Sequence, residues 1–229
     1  IFRANRKSDA VKKQMREKAN IPDDAIILLY AGRISPEKNI GLLVKMMKIL
    51  AKDSSKDYRL LVAGAGPQSD WLKAQTQRLF PNKIIQLGHL EKETLADFYT
   101  NADVFVHPNP REPFGIAPLE AMVSGVPTLA PNAGGILSYA TDENAWLVEP
   151  TGENFAASVR EIIENPAETE RRTKNAVATA LENTREKSTD NLFATYDKMY
   201  LDFQTRKELF TDIEKAKTFD FAKELLKDL

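Results

Sequence analysis

Two carboxylates stand eight positions apart in the segment HPNPREPFGIAPLEAMVSGVPTLAPNAGG, residues 107–135. Glu112 precedes a predicted helix, and Glu120 lies about five residues into it, roughly 7.5 Å along the helix axis. Carboxylates accept hydrogen bonds from hydroxyls, which sugars and riboses present in pairs. A glutamate beside apolar neighbours such as Leu119 also needs a partner. We therefore interpret the two as contacts for two parts of one elongated ligand. The alternative is a charge at a helix N-terminus and a buried structural acid.

The predicted helix that begins near Phe114 and Gly115 presents unpaired backbone amides. The first N–H groups of a helix have no partner within it and carry partial positive charge. An anion or a hydroxyl-rich ligand is therefore favoured there. Gly115 leaves the approach free of a side chain, and Pro118 fits the first turn, where its missing donor costs little.

A short loop with two cations follows the first predicted strand. Beside Gly32, Arg33 offers a planar fork for phosphate, and Lys38 offers a point charge. The alternative is a solvated surface loop.

Gly64 and Gly66 follow the second predicted strand in a pattern close to a dinucleotide fingerprint. The pattern fails because Ser69 replaces the third glycine, Pro67 removes an amide donor, and no acid ends the next strand. A dinucleotide oxidoreductase is therefore disfavoured. Two interpretations stay open: close approach of the backbone to a ligand, and a purely structural turn.

Two further loops complete the same edge of the predicted sheet. The backbone at His89 and Leu90 offers groups to a base edge; the alternative is that His89 is a neutral polar residue at the sheet rim. Gly134 and Gly135 bring the backbone close to a crevice. Phosphate plus hydroxyls is the ligand chemistry that uses these cations, glycines, amides and carboxylates together, and a nucleotide sugar has both.

The elements that position these loops alternate along the chain. Apolar strands are predicted at 26–31, 58–63, 83–87, 104–106, 128–130 and 145–148, with helical patterns between them, including one over 115–124. Strands that lack clear alternation and are separated by helices predict a parallel sheet covered on both faces. We expect a doubly wound, six-stranded, Rossmann-like α/β domain. After Gly152 only helices are predicted, and Pro166 separates the first two.

Composition excludes several classes of protein. The net charge of -1 gives no argument for nucleic-acid binding, and the absence of cysteine excludes disulfides and thiolate metal sites. Apolar runs such as IILLYAG are too short to span a bilayer.

Four segments together resemble a known family: GRISPEKN, LLVAGAGP, GHLEKETLADFYTNADVFVHP and EPFGIAPLEAMVSGVPTLAPNAGG. Residues 26 to about 200 are similar to the C-terminal, donor-binding domain of retaining glycosyltransferases of family 4, or group 1, with the GT-B fold. The last segment carries the family's E-x7-E element as Glu112 and Glu120.

The resemblance implies roles for these residues. Arg33 and Lys38 would hold the donor diphosphate, Glu120 the ribose hydroxyls, and Glu112 the transferred sugar; we assign Arg33, Lys38 and Glu112 as catalytic through electrostatics. Backbone amides at the helix start would contact sugar hydroxyls and phosphate, and the loop at His89 would meet the base. The donor-binding set is Gly32, Gly64, Gly66, His89, Leu90, Phe114, Gly115, Ile116, Leu119, Glu120, Gly134 and Gly135.

The resemblance also implies hexosyl transfer with retention, without a metal ion, a cofactor or a covalent nucleophile. The donor would be a UDP- or GDP-linked sugar, and the acceptor a sugar or lipid-linked glycan bound by an N-terminal domain. Ser138 departs from a common glutamate of the family, and residues 144–146 depart from a common Asn-Gly pair. The alternative function is a non-catalytic nucleotide-binding or interaction module of the same fold.

The chain begins with Ile1, so we expect a fragment that is inactive alone. We predict a linker or helix from a preceding domain at 1–20, the donor domain at 21–185, and helices at 186–229 that pack across to that preceding domain. We expect a cytoplasmic protein. The basic segment 3–18 indicates peripheral contact with the inner membrane face, or else a solvated helix face.

Overall fold

The computed structural model describes residues 1–79 and 81–207. Its contacts divide the chain into a first unit that ends at Glu182 and a second that begins at Asn183. The first unit holds the sheet and is described first.

Six parallel strands form one sheet in the order β3-β2-β1-β4-β5-β6. The strands are β1 (Ile26–Ala31), β2 (Tyr58–Ala63), β3 (Ile84–Gly88), β4 (Val104–Val106), β5 (Thr128–Pro131) and β6 (Trp146–Val148). The predicted doubly wound, Rossmann-like sheet is therefore confirmed. Four strand ends, in β3, β5 and β6, differ from the prediction by one residue, the usual uncertainty of such boundaries.

The helices of the first unit connect and cover the strands. They are α1 (Asp9–Ala19), α2 (Ile40–Leu50), α3 (Ser69–Leu79), α4 (Lys92–Asn101), α5 (Ile116–Val123), α6 (Gly152–Glu164) and α7 (Pro166–Glu182). The helix predicted over 115–124 begins one residue later. Gly115 has a φ of 93°, a left-handed conformation that no residue inside an α-helix adopts, and it caps α5.

Side chains of successive residues in each strand point to opposite faces of the sheet. Leu28 and Tyr30 of β1 pack into a core shared with α2 and α6. Ile27 and Leu29 pack into a second core shared with α1, α4 and α5. Because both faces are covered, the strands read as continuous apolar runs without a polar face.

Helix α1 is part of the second core, although its sequence is strongly basic. Met15 and Ala19 are buried there. Arg16 is also buried: its Nη1 and Nη2 donate to the carbonyls of Pro22 and Ala25 at 2.5 Å and 2.9 Å. The guanidinium therefore fastens the turn that leads into β1.

Two other cations of the basic segment pair with acids. Arg6 contacts Glu93 and Asp97 of α4, and Lys12 lies 3.0 Å from Asp103. Two of the seven cations of segment 3–18 are therefore paired with acids of the sheet domain.

Replacing Arg16 with methionine is expected to lower the free energy of unfolding by about 2–3 kcal/mol, because two carbonyls lose charged donors in a buried position. Thermal or denaturant unfolding measures the loss. Lys18→Met changes an exposed cation of the same helix and is expected to stay within about 0.5 kcal/mol of wild type. Equal stability of the two variants would contradict a fastening role for Arg16.

The second unit is described from Asn183 to Lys207. It contains α8 (Arg185–Thr205), in which no residue is buried. Apolar side chains of this helix are exposed, among them Phe193, Tyr196 and Tyr200. The part of the predicted C-terminal helices at 208–229 lies outside the described residues. In the described part of the chain, no helix combines the length and the apolar character needed to span a membrane.

Candidate functional site

A cleft of about 490 Å³ opens at the carboxyl ends of the strands. Strand β1 lies between β2 and β4, and the helices that follow β1 and β4 cover opposite faces of the sheet. Loops diverge at such a topological switch point, and open α/β sheets bind ligands there. The cleft is lined by Ala31, Gly32, Arg33, Ala63, Gly64, Ala65, His89, Leu90, Leu95, Tyr99, Ile116, Ala117 and Glu120.

Glu120 brings a carboxylate from α5 to the wall of this cleft. The Tyr99 hydroxyl of α4 donates a hydrogen bond to Glu120 Oε2 at 3.2 Å. Burial raises the pKa of Glu120 above its ordinary value, although the hydrogen bond from Tyr99 and the charge of Lys92 act in the opposite direction. Tyr99 is itself held between the rings of Phe2 and Phe105. The carboxylate therefore has a fixed phenolic partner and an open side toward the cleft.

Glu112 belongs to a separate polar cluster. Its Oε2 lies 2.6 Å from Lys38 Nζ and accepts a hydrogen bond from Asn109 Nδ2 at 2.8 Å. Burial alone would raise the pKa of Glu112, but these two donors lower it below its ordinary value. Glu112 is thus an ionised carboxylate at neutral pH, with its charge compensated by Lys38.

The loop that carries Glu112 is fastened at both ends. Asn39 Nδ2 donates to the carbonyl of Pro108 at 3.0 Å, and the Gly135 amide donates to the Glu112 carbonyl at 2.7 Å. The first contact ties the loop after β4 to the start of α2, and the second ties it to the loop after β5. Three loops therefore set the position of one carboxylate.

The glycines of the site allow loops to pack on one another. A Cβ on Gly64 would lie 2.0 Å from the Gly32 carbonyl oxygen, and one on Gly66 would lie 2.3 Å from that of Ile34. A Cβ on Gly135 would lie 1.8 Å from the carbonyl oxygen of Pro113. Real Cβ atoms do not approach an oxygen so closely, because hard-sphere repulsion forbids it. Packing between loops thus explains these glycines without a ligand, and their donor contacts stay a prediction.

The start of α5 is open and is positioned by Tyr139. No side chain caps the helix. The Tyr139 hydroxyl donates to the Gly115 carbonyl at 2.6 Å, and its ring packs edge-on against exposed Phe114. The first amides of α5 therefore stand beside the loop of Glu112, where partial positive charge attracts anions.

Eleven of the fifteen predicted site residues fall into three groups. Those that line the cleft are Gly32, Arg33, Gly64, His89, Leu90, Ile116 and Glu120. Lys38, Glu112 and Gly135 are joined by hydrogen bonds at the neighbouring cluster. The Leu119 side chain lies in a core cluster with residues of α7, because adjacent residues of a helix point about 100° apart and Glu120 takes the cleft side.

Sequence reasoning missed Tyr99, Asn109 and Tyr139. Each is a buried polar side chain that donates a hydrogen bond to a group of the site. The general rule that a buried carboxylate needs a partner predicts that such residues exist. Only the packing of α4 and of the loops identifies which residues they are.

No set of three or more histidine, aspartate or glutamate side chains is arranged to hold a metal ion within residues 1–79 and 81–207. The polar groups of the site are instead suited to hydroxyls and to a multiply charged anion.

A comparison with protein families identifies this arrangement. The family described as glycosyl transferases group 1 matches residues 11–179. The chain belongs to the group 1 glycosyl transferases. The matched range includes β1 to β6 and every polar residue of the site described above.

Individual group 1 relatives support this membership. A GDP-mannose-dependent alpha-mannosyltransferase of Mycolicibacterium smegmatis is 39% identical over 114 residues, which are 50% of this chain and 28% of the relative. The chain spans between 28% and 39% of the length of curated relatives that it matches. These relatives are therefore much longer proteins.

Two solved structures share the fold. The C-terminal domain of a group 1 glycosyl transferase (LpcC) of Francisella tularensis has a TM-score of 0.67 at 23% identity, covering 82% of this chain and 96% of that one. Anabaena HepE, solved in complex with UDP, has a TM-score of 0.73 at 22% identity, covering 86% and 56%. The chain thus has the fold of a C-terminal domain of a GT-B glycosyl transferase.

Proposed function

We propose that this chain binds the nucleotide-diphospho-sugar donor of a retaining glycosyltransferase. The observation that carries the proposal is the placement of Glu120 in the cleft and of Lys38 with Glu112 in the adjoining cluster, both at the switch point. Carboxylates suited to hydroxyls and cations suited to phosphates thereby lie at one edge of the sheet, which supports a nucleotide sugar as the ligand.

The nucleoside occupies the cleft in this proposal. The ionised Glu120 accepts hydrogen bonds from the two ribose hydroxyls, and the base lies against the backbone at His89 and Leu90. The diphosphate lies toward Arg33, Lys38 and the first amides of α5. Glu112 then faces the sugar beyond the diphosphate.

The chemistry of transfer is electrostatic in this proposal. Cleavage of the sugar–phosphate bond leaves negative charge on the diphosphate, and fixed positive groups aimed at that charge lower the barrier. The departing diphosphate helps to deprotonate the acceptor on the same face, so the anomeric configuration is retained. Before the donor binds, Glu112 contacts Lys38 and accepts a hydrogen bond from Asn109. In this proposal it accepts hydrogen bonds from the sugar and is not a nucleophile. No metal ion takes part.

The names of two similar proteins support a donor class, and the acceptor class is part of the proposal. One relative is named for GDP-mannose and one solved neighbour holds UDP, so we propose a UDP- or GDP-linked sugar as donor. The acceptor, a sugar or lipid-linked glycan, is bound by a further domain of the longer protein, against which α8 packs its exposed aromatic side chains. Turnover of the donor requires that further domain. We place the longer protein in the cytoplasm. If its acceptor is lipid-linked, the protein works at the inner face of the membrane.

Calorimetric titration of the chain with UDP, GDP and ADP tests the proposal. Saturable binding of UDP or GDP, with weaker binding of the other nucleotides, is expected and identifies the base. Absence of binding to all three, in the chain and in the longer protein, would overturn it. Binding in the longer protein without transfer of any sugar would favour the alternative, a non-catalytic nucleotide-binding module.

The pH dependence of this binding reports on Glu120. Binding through an ionised carboxylate is lost as pH falls through its pKa, which burial holds above the ordinary value of 4.5. Tyr99→Phe removes a hydrogen bond that lowers this pKa, so half-loss of binding is expected at a higher pH than in wild type.

A matched tyrosine provides the control for that shift. Tyr58 is the first residue of β2 and is buried in the core shared with α2 and α6, and its hydroxyl has no hydrogen-bond partner among the described residues. Tyr58→Phe is expected to leave the pH midpoint of binding unchanged. If the pH of half-loss of binding is the same in Tyr99→Phe and Tyr58→Phe, then Tyr99 has no influence on donor binding through Glu120.

A further inference from the structure

His107 is buried at the carboxyl end of β4 without a hydrogen-bond partner. The residue is 4% exposed, and neither ring nitrogen has a partner among residues 1–79 and 81–207. Buried polar atoms in native proteins are nearly always paired, so an unpaired one calls for an explanation. His107 lies at the switch point itself. Unpaired polar groups and strained residues in native proteins are concentrated at functional sites.

The ring faces the cluster of Glu112. Its Nε2 lies 3.9 Å from Glu112 Oε2, the same oxygen that Lys38 and Asn109 already contact. Burial lowers the pKa of His107 to about 4, more than the nearby Glu112 carboxylate raises it. The imidazole is therefore neutral at pH 7 and keeps one N–H to donate.

We propose that His107 is a positioning residue that holds the Glu112 carboxylate when Lys38 leaves it for the donor diphosphate. The inference rests on the proposed function, because it is the donor that draws Lys38 away. A carboxylate that loses its cation in a half-buried position needs a replacement donor. Closing the present gap to a hydrogen bond of about 2.9 Å takes a shift of about 1 Å.

The exchange keeps Glu112 in place for the sugar. Without a second donor, Glu112 would follow the ammonium of Lys38 or turn toward solvent. With Asn109 and His107 both donating, the carboxylate stays at the end of the loop that Gly135 fastens, and Lys38 is available to the phosphates.

The ring nitrogens can be followed directly by NMR. The chain has two histidines, so ¹H–¹⁵N spectra of the imidazoles contain one set of signals from His107 and one from His89. His107→Gln assigns the first set by its disappearance. His89 is exposed on the rim of the cleft and serves as an independent reporter of nucleotide binding.

Lys38→Met without nucleotide is the decisive sample. It removes the cation, so the His107 N–H is expected to hydrogen-bond to Glu112 and its proton to move downfield and exchange more slowly with water. Wild type with bound UDP or GDP is expected to show the same change. The change should be absent in the double variant Lys38→Met/Glu112→Gln, if His107 binds the charged carboxylate. Lys48→Met, an exposed lysine of α2, is expected to leave the signals as in wild type.

The outcomes separate this inference from the proposed function. An unchanged His107 signal in Lys38→Met overturns the inference, whatever the nucleotide does. A His107 signal that responds to nucleotide but not to Lys38→Met also overturns it, since the ring then contacts the donor itself. A response in Lys38→Met, with His89 and His107 both silent to every nucleotide in the chain and in the longer protein, leaves the pairing supported and overturns the donor site.

Discussion

Replacing Gly135 with alanine is expected to lower the free energy of unfolding by about 3 kcal/mol or more, or to prevent folding. The new Cβ would lie 1.8 Å from the Pro113 carbonyl oxygen and 2.8 Å from the Phe114 nitrogen. Both atoms belong to the backbone, so no side chain can turn aside to make room. The loop between Glu112 and α5 would have to move as a whole.

The same displacement is expected to weaken the site. The Gly135 amide donates to the Glu112 carbonyl, and separating the two loops removes this bond. Variant chains that still fold are therefore expected to bind nucleotide more weakly than wild type. Denaturant unfolding measures the first effect and calorimetry the second.

Gly41→Ala is the matched control for this substitution. Gly41 lies in α2, and a Cβ there would meet no atom within 4 Å. Alanine is a better helix former than glycine by about 1 kcal/mol, so this variant is expected to be as stable as wild type or slightly more so. Similar unfolding of Gly135→Ala and Gly41→Ala would contradict the tight packing of the two loops.

Replacing Lys38 with methionine is expected to weaken donor binding by about 10- to 100-fold. A hydrogen bond that involves a charged group contributes about 1.5–3 kcal/mol, and each 1.4 kcal/mol corresponds to a tenfold change in affinity. Stability is expected to change less, since Glu112 retains the hydrogen bond from Asn109. The affinity for UDP or GDP, measured by calorimetry beside Lys48→Met, gives the size of the effect.

The part of the ligand that Lys38 binds can be separated from the part that Glu120 binds. Inorganic diphosphate lacks a ribose, so its binding is expected to weaken in Lys38→Met and to be unaffected in Glu120→Gln. A nucleoside diphosphate is expected to bind more weakly in both variants. Equal loss of diphosphate binding in both would contradict the division of the site into a phosphate part and a ribose part.

The alternation of apolar strands and helices was sufficient to predict the order of elements and the covered, parallel sheet. These features follow from local periodicity, and the edge of the sheet that carries the site follows from the parallel direction of the strands. The types of residue at that edge indicated the ligand chemistry. Arg33, Lys38, Glu112 and Glu120 were singled out in this way; they lie at this edge of the sheet, and their ligand contacts stay a prediction.

The partners of these residues were decided by the tertiary structure. Lys38 and Glu112 are 74 positions apart in the chain, and Tyr99 and Glu120 are 21 apart. Neither distance is a helical or strand period, so no local pattern links them. Lys38 meets Glu112 because loops after different strands meet at one edge of the sheet, and Tyr99 meets Glu120 because α4 and α5 cover the same face of the sheet.

The same reason explains the residues whose roles changed between sequence and structure. Gly135 was interpreted as bringing the backbone close to a crevice, and for Gly64 and Gly66 a structural turn was one of two open interpretations. An added Cβ at each would meet the backbone of a neighbouring loop. Arg16 belonged to a basic surface segment and is buried against two carbonyls. The sequence determined which groups each element carries, since propensity and periodicity are local. The packing of loops determined what each group contacts, since a contact depends on two segments that the chain brings together only in the folded protein.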